Sequence, residues 1–199
     1  MKNLLIRSAA VEDATACAAI YAPYVQHTVI SFEEAPPDPP EMARRIEARG
    51  TSHAWLVASE PVPGGEAGRV LGFAYAGTYR EREAWQWVCE TSIYLDPTAT
   101  GRGVGRRLYS ALLAALADRG YRVAIASIAL PNPASIALHE AVGFTEFGIS
   151  PRVGFKFGEW VDVAWLQRGI GPGTTTSPGA LTRGDLIHGT TTAPSHGHN

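Results

Sequence analysis

Glu90 is the only charged residue between Trp87 and Leu95. A carboxylate inside an apolar strand is costly unless it has polar partners or opens on a cleft. Alternation along an extended chain places Glu90, Ser92 and Tyr94 on one face and Cys89, Thr91 and Ile93 on the other. A short way downstream lies Gly101-Arg102-Gly103-Val104-Gly105-Arg106, with glycine at every second position. Such a turn ahead of a helix makes an anion site from backbone alone. The first amides of the helix have no internal partner, and its dipole favours negative charge. The glycines allow close approach and backbone angles that a side chain forbids. Farther on, Asn132, Ser135, Ile136 and His139 share one helical face at about 100° per residue, which brings in an imidazole of near-neutral pKa. Each feature has a plainer reading. Glu90 could bond backbone or an arginine, His139 could pack or cap, and the turn could be a connection without a ligand.

Two nucleotide-binding alternatives fail on the residues. A Walker-type loop requires lysine followed by serine or threonine, where this chain has Arg106-Arg107. A dinucleotide fingerprint follows the first strand and has an acid about twenty residues later. Here the turn is at mid-chain, and Tyr121 to Ala126 contains no acid.

The elements that must position these residues follow from periodicity. Leu4-Leu5-Ile6 reads as a strand, followed by a helix over Val11–Val25 with Glu12 and Asp13 near its positive end. Four prolines exclude a helix from Ser31 to Pro40; a short helix then spans Glu41–Ala48, ended by Gly50. Ala54–Ala58 and Val70–Thr78 form a hairpin around the exposed loop Pro61–Gly68, and Trp87–Leu95 is the next strand. Val104, Leu108, Leu112 and Leu116 mark an amphipathic helix stopped by Gly120. Val123–Ile128 is a strand, Asn132-Pro133 caps and opens a helix closed by Gly143, and strands near Gly143–Ile149 and Trp160–Gln167 complete a mixed sheet.

With 199 residues, 45% of them hydrophobic, the chain suits one folded domain, residues 1–168. From Gly169 to Asn199 it turns to Gly, Thr, Pro, Ser and His, the composition of a disordered tail. His188, His196 and His198 are irregularly spaced, so no metal site is expected. A net charge of −2 without like-charge blocks argues against a nucleic-acid partner. Cys17 and Cys89 make no disulfide framework, and no signal peptide or membrane-spanning stretch is evident. A cytoplasmic protein without a membrane partner is the expectation.

"ETSIYLDPTATGRGVGRRLYSALL" followed by "LPNPASIALHEAVGF" resembles the GNAT superfamily of N-acetyltransferases, specifically its phosphinothricin and methionine-sulfoximine acetyltransferase branch. "GFAYAGTYR" and "RVGFKFGEWVDVAWLQ" extend the resemblance from Leu4 to Gln167. It implies an α/β fold with a mixed, mostly antiparallel central sheet, flanking helices and a splayed strand pair that admits acetyl-CoA. The backbone of Ile93, Tyr94 and Leu95 would pair with the pantetheine arm. Amides from Gly101, Arg102, Gly103, Val104, Gly105 and Arg106 would hold the pyrophosphate, with Asn132 and Ser135 approaching from the opposite side. Thr100 departs from the superfamily pattern, which has glutamine or arginine there.

An amine must lose a proton before it attacks a thioester, and a positioned base contributes about 10²–10⁴-fold. The resemblance gives Glu90 and His139 that work and suggests Tyr109 as an acid toward the departing thiolate. Nothing marks Cys89 as a nucleophile, so transfer is direct, with amides near Ile93 stabilising the oxyanion. Around the acceptor the resemblance implies Arg80 and Arg82, suited to an anionic group, with Phe32, Trp85, Lys156 and Val163 nearby. Glu81 and Glu83 replace the branch's prolines, and Trp85 its tyrosine. The resulting expectation is a small-molecule N-acetyltransferase, homodimeric by family habit. A peptide N-terminal acetyltransferase and a non-catalytic acetyl-CoA sensor are the alternatives.

Overall fold

The computed structural model describes residues 4–61, 68–173 and 177–182. Its elements are β1 (Leu5–Ser8), α1 (Ala14–His27), α2 (Pro39–Ser52), β2 (Trp55–Glu60), β3 (Arg69–Thr78), β4 (Val88–Leu95), α3 (Val104–Asp118), β5 (Val123–Ala129), α4 (Pro133–Ala141), β6 (Thr145–Lys156) and β7 (Glu159–Gly169). Single 3-10 turns occupy Val11–Asp13, Glu83–Trp85 and Pro97–Ala99. The strands form one sheet in the order β1-β2-β3-β4-β5-β7-β6, antiparallel throughout except for the parallel pair β4 and β5.

Strand alternation divides the core in two. Trp55, Val57 and Phe73 face α1 and α2, where Cys17, Ile20, Tyr21, Val25, Met42 and Ile46 are buried. Leu56, Ala58, Leu71, Ala74 and Ala76 face the other way, against the apolar stripe of α3. The spacing of Val104, Leu108, Leu112 and Leu116 predicts that stripe, and all four side chains are fully buried. Gly120 and Gly143 end their helices with φ of 96° and 87°, a region that glycine enters without penalty.

Three boundaries differ from the sequence expectation. Helix α2 begins two residues earlier than Glu41 and runs through Gly50. Asp38 caps it, accepting the Glu41 amide at 2.8 Å, and Pro39 and Pro40 sit in the first turn, where no amide hydrogen is needed. Strand β6 continues well past Ile149. It lies at the sheet edge and accommodates Pro151 in a bulge between Ser150 and Gly154, where Asp162 accepts the Arg152 amide at 2.7 Å. The third difference is at the C-terminus. Gly169 belongs to β7, Ile170 is buried, Trp87 Nε1 donates to the Gly179 carbonyl at 2.9 Å, and Leu181 packs on the core. The boundary at residue 168 therefore falls inside folded structure. Residues 62–67 of the hairpin loop, and 174–176 and 183–199 of the tail, lie outside the described residues, His188, His196 and His198 among them.

Gly72 lets β3 run close to β4. A β-carbon there would lie 2.5 Å from Leu95 Cδ2 and 2.8 Å from the Tyr94 carbonyl oxygen. The carbonyl belongs to the strand and cannot swing aside, so Gly72→Ala should cost about 1–3 kcal/mol. Thermal unfolding would show this as a fall in Tm of several degrees.

Candidate active site

Strands β4 and β5 pair over only three positions, Val88↔Val123, Cys89↔Ala124 and Glu90↔Ile125, and then part. Hydrogen bonds from both faces mark the fork. On one, the Thr91 hydroxyl donates to the Ile125 carbonyl at 3.0 Å; on the other, the Ser127 hydroxyl donates to Glu90 Oε1 at 2.6 Å. The Asp96 amide bonds the Leu71 carbonyl, so the β3–β4 ladder uses the even-numbered residues of β4. The Thr91 carbonyl and the backbone groups of Ile93 and Leu95 therefore face the gap that β5 vacates. The Leu95 carbonyl accepts the Tyr24 hydroxyl at 2.6 Å, whereas neither the N–H nor the C=O of Ile93 has a partner among the described residues. Tyr94 differs from its neighbours: its backbone belongs to the β3 ladder, and its ring packs on Tyr21 and Tyr24 while lining the gap.

At the end of this gap the glycine turn starts α3. Gly101 and Gly103 take φ of 71° and 72°, and the Arg107 amide makes the first helical bond, to the Gly103 carbonyl. The amides of Val104, Gly105 and Arg106 thus have no intrahelical acceptor, which is the anion cradle expected of a helix start. Gly105 also permits close packing, since a β-carbon there would sit 3.0 Å from Leu95 Cδ1 and 3.2 Å from Leu138 Cδ2. Arg106 is exposed, but Arg102 is paired with Glu60 at 2.9 Å. Thr100 donates its hydroxyl to the Pro97 carbonyl at 2.8 Å, so its side chain serves the turn.

Across the gap, Asn132 Oδ1 accepts the Ser135 amide at 3.1 Å and starts α4. The Ser135 carbonyl in turn accepts the His139 Nδ1–H at 2.7 Å. That bond assigns the hydrogen to Nδ1 and leaves Nε2 as the acceptor nitrogen. His139 is buried against the rings of Tyr109 and Phe144, and burial lowers its pKa, partly offset by the bond to Ser135. Its ring lines a narrow slot with Asn132, Ser135, Thr91, Ser92, Ile93 and Ser127.

Two larger cavities, each about 500 Å³, open beside this slot. One is bounded by Arg49, Ser52, His53, Tyr75, Thr78, Glu90 and Ser92. The other is largely aromatic and apolar, with Tyr21, Phe32, Tyr94, Val153, Val163 and Trp165, and includes Glu33, Ser92 and Ser127. Ser92 borders all three spaces. Glu90 and His139 therefore reach the fork from opposite faces of the sheet, and no hydrogen bond joins them.

The remaining sequence candidates separate clearly. Phe32 and Val163 line the aromatic cavity, and Phe32 packs over Gly154, where a β-carbon would meet its ring at 2.2 Å. Tyr109 is fully buried. Because the Thr91 hydroxyl hydrogen goes to Ile125, the Tyr109 hydroxyl donates to Thr91 at 2.7 Å, and burial raises its pKa. It braces the fork from inside the core and lines none of the three spaces. Lys156 is buried, donating to the carbonyls of Val25 at 2.6 Å and Ser31 at 2.5 Å, so it anchors the segment that carries Phe32. Arg80, Arg82 and Trp85 lie on an exposed loop beyond β3, with the Arg80 guanidinium 5.0 Å from the Tyr79 ring centroid and 5.9 Å from that of Trp85. They line neither cavity. Burial pushes Cys17 and Cys89 up to about 12, which leaves neither thiol reactive.

Sequence reasoning missed Ser127, Ser92, Trp165 and Arg49. Alternation in Val123–Ala129 puts Ile125 and Ser127 on the Glu90 face, and that signal was available for Ser127. Arg49 had none, because its relation to Glu90 depends on how α2 crosses the sheet.

Residues 6–165 match the acetyltransferase (GNAT) domain. A phosphinothricin N-acetyltransferase of Alcaligenes faecalis is 41% identical over 169 residues, covering 84% of this chain and 83% of the relative. An L-methionine sulfoximine/L-methionine sulfone acetyltransferase of Pseudomonas paraeruginosa is 36% identical over 174 residues, 87% of this chain and 98% of the relative. Among solved structures, a phosphinothricin acetyltransferase from Sinorhizobium meliloti in complex with acetyl-CoA superposes with a TM-score of 0.81 at 39% identity. That match spans 89% of this chain and 94% of the other.

The buried imidazole makes stability depend on pH. An unfolded histidine takes a proton near ~6.5, and the folded His139 resists it. Below that pH the unfolded state binds more protons, so stability falls as pH falls, by up to about 1.4 kcal/mol per pH unit for this one group. Thermal melts between about pH 8 and pH 5 should show a shallower loss in His139→Gln than in the unsubstituted chain.

Proposed function

We propose that this chain, which belongs to the acetyltransferase (GNAT) domain family, transfers acetyl from acetyl-CoA directly to the amine of a small amino-acid-like acceptor of the phosphinothricin or methionine sulfoximine/sulfone type. The observation that carries this is the fork after Glu90↔Ile125. It leaves one strand edge unpaired, aims it at free helix-start amides, and sets a carboxylate and a neutral imidazole beside the opening. The open groups of Ile93 fit the amide-rich pantetheine arm, and the amides of Val104, Gly105 and Arg106 fit the pyrophosphate. Acetyl-CoA supplies the activated thioester; the chain's own residues do the rest. Glu90, held by Ser127, takes the ammonium proton. The Ile93 N–H is free to donate to the oxygen on which charge grows. His139, with its Nδ1–H committed to Ser135, keeps Nε2 available for a proton from the slot. Phe32, Val163 and Trp165 receive the acceptor's side group in the aromatic cavity.

The printed names of the relatives support a small acceptor of this class over a peptide terminus. Thiol release from acetyl-CoA should be stimulated by L-methionine sulfone, L-methionine sulfoximine or phosphinothricin. Release with short peptides alone would establish the peptide reading, and none with any acceptor, despite acetyl-CoA binding, a sensor. Glu90→Gln should lower kcat by about 10²–10⁴-fold while leaving acetyl-CoA affinity unchanged.

A homodimer is part of the same reading. Edge strand β6, its turn and the start of β7 expose Phe147, Ile149, Val153, Phe155, Phe157 and Trp160, each more than half accessible. Contiguous apolar exposure of this kind marks an interface, and an uncovered edge invites pairing. Sedimentation should give a dimer for the chain and a monomer for the double variant Phe155→Glu, Trp160→Glu.

A further inference from the structure

The acetyl-transfer reading leaves one charge of an amino-acid acceptor without a partner, its α-carboxylate. The cations near the fork are mostly committed. Arg45 is bound to Glu33 at 2.8 Å and to Glu41 at 2.7 Å, Arg102 to Glu60, and Lys156 to two backbone carbonyls. Arg49 lies one helical turn beyond Arg45 on the same face of α2 and makes no ion pair among the described residues. Its guanidinium carbon rests 4.4 Å from the centre of the Tyr75 ring. An aromatic face holds a cation in place without neutralising it, so the donors at the guanidinium edge stay available.

Its location follows from the sheet register. Tyr75 is the cross-strand partner of Ser92, and Gly77 that of Glu90, all four on one face. The Arg49 guanidinium carbon would be 4.0 Å from a β-carbon at Gly77, and because Gly77 has no side chain, nothing fills that position beside Glu90. Arg49, Glu90 and Ser92 then line the same cavity of about 500 Å³. Glu33 also feels the Arg49 charge, but its carboxylate is already held by Arg45 and Tyr21.

We propose that Arg49 receives the α-carboxylate of the acceptor and so fixes specificity for α-amino acids. An amino acid with its α-carbon at Ser92 then has three arms and three receiving spaces. The amine lies at the slot mouth by Glu90, the side group in the aromatic cavity, and the carboxylate on Arg49. A base carboxylate alone would repel an anionic acceptor; a guanidinium in the same cavity reverses the sign of that field and offers two parallel hydrogen bonds. The loop arginines Arg80 and Arg82 lie outside this cavity.

The test is calorimetric binding of L-methionine sulfone and of its α-carboxamide to the full-length chain loaded with CoA. The acid should bind about 10- to 100-fold more tightly than the amide. Arg49→Gln should bring the acid down to the level of the amide, with amide and CoA affinities unchanged, and Arg49→Lys should restore part of the difference. The proposal is overturned if Arg49→Gln keeps the preference for the acid, if it weakens acid and amide equally, if Arg80→Gln removes the preference in its place, or if the acid does not bind. An acceptor that binds through Arg49 and is not acetylated would refute the acetyl-transfer reading and leave this one standing.

Discussion

A parallel strand pair that stops hydrogen-bonding leaves backbone amides and carbonyls with no partner, and buried backbone rarely tolerates that. Here β4 and β5 stop after Glu90↔Ile125, and the surroundings hold the gap open. The Thr91 hydroxyl occupies the Ile125 carbonyl, backed by the fully buried Tyr109, while Ser127 bonds Glu90 on the opposite face. Side-chain hydrogen bonds thus brace the last paired residues on both faces at the point where the backbone ladder stops. The Tyr24 hydroxyl takes up the Leu95 carbonyl, and Ile93 is left as the open unit of the edge. The site's polar groups are the ones this interruption releases or admits.

The same interruption explains how two titratable groups from opposite sides of a sheet meet one opening. Glu90 projects toward α1 and α2, and His139 comes from α4 behind the other face. A continuous sheet would separate them. Their environments differ in kind: the carboxylate is half-buried and hydrogen-bonded, while the imidazole is buried, lowered in pKa and fixed in tautomer by the Ser135 carbonyl. Supporting residues settle the rest. Lys156 ties the Phe32 segment to the end of α1, and Tyr75 keeps the Arg49 guanidinium at the cavity edge.

Local chemistry made much of this legible from sequence. The stripe of α3, the Asn132 cap, the stops at Gly120 and Gly143 and the alternation of β4 are short-range features, and each agrees with the structure within a few residues. The glycine turn reads as a helix-start anion site because φ, capping and the dipole all act within one turn. The candidates that failed to reach the cavities, Arg80, Arg82, Trp85, Tyr109 and Lys156, share a cause. Their residue types suit the chemistry, but burial or solvent exposure, which no short window encodes, sends their side chains elsewhere.

The sequence by itself therefore determined the elements, the two faces of β4, the carboxylate at the head of the fork and the glycine-led helix start after it. All of these depend on backbone geometry and on neighbours within a few positions. Tertiary structure alone decided that β5 parts from β4 after three residue pairs, that Ser127 reaches Glu90, that Lys156 is spent on carbonyls and that Arg49 stands beside Glu90. Those relations join residues dozens of positions apart, such as Arg49 with Glu90 and Lys156 with Val25. They exist only once helices of a given length have crossed a sheet of a given register.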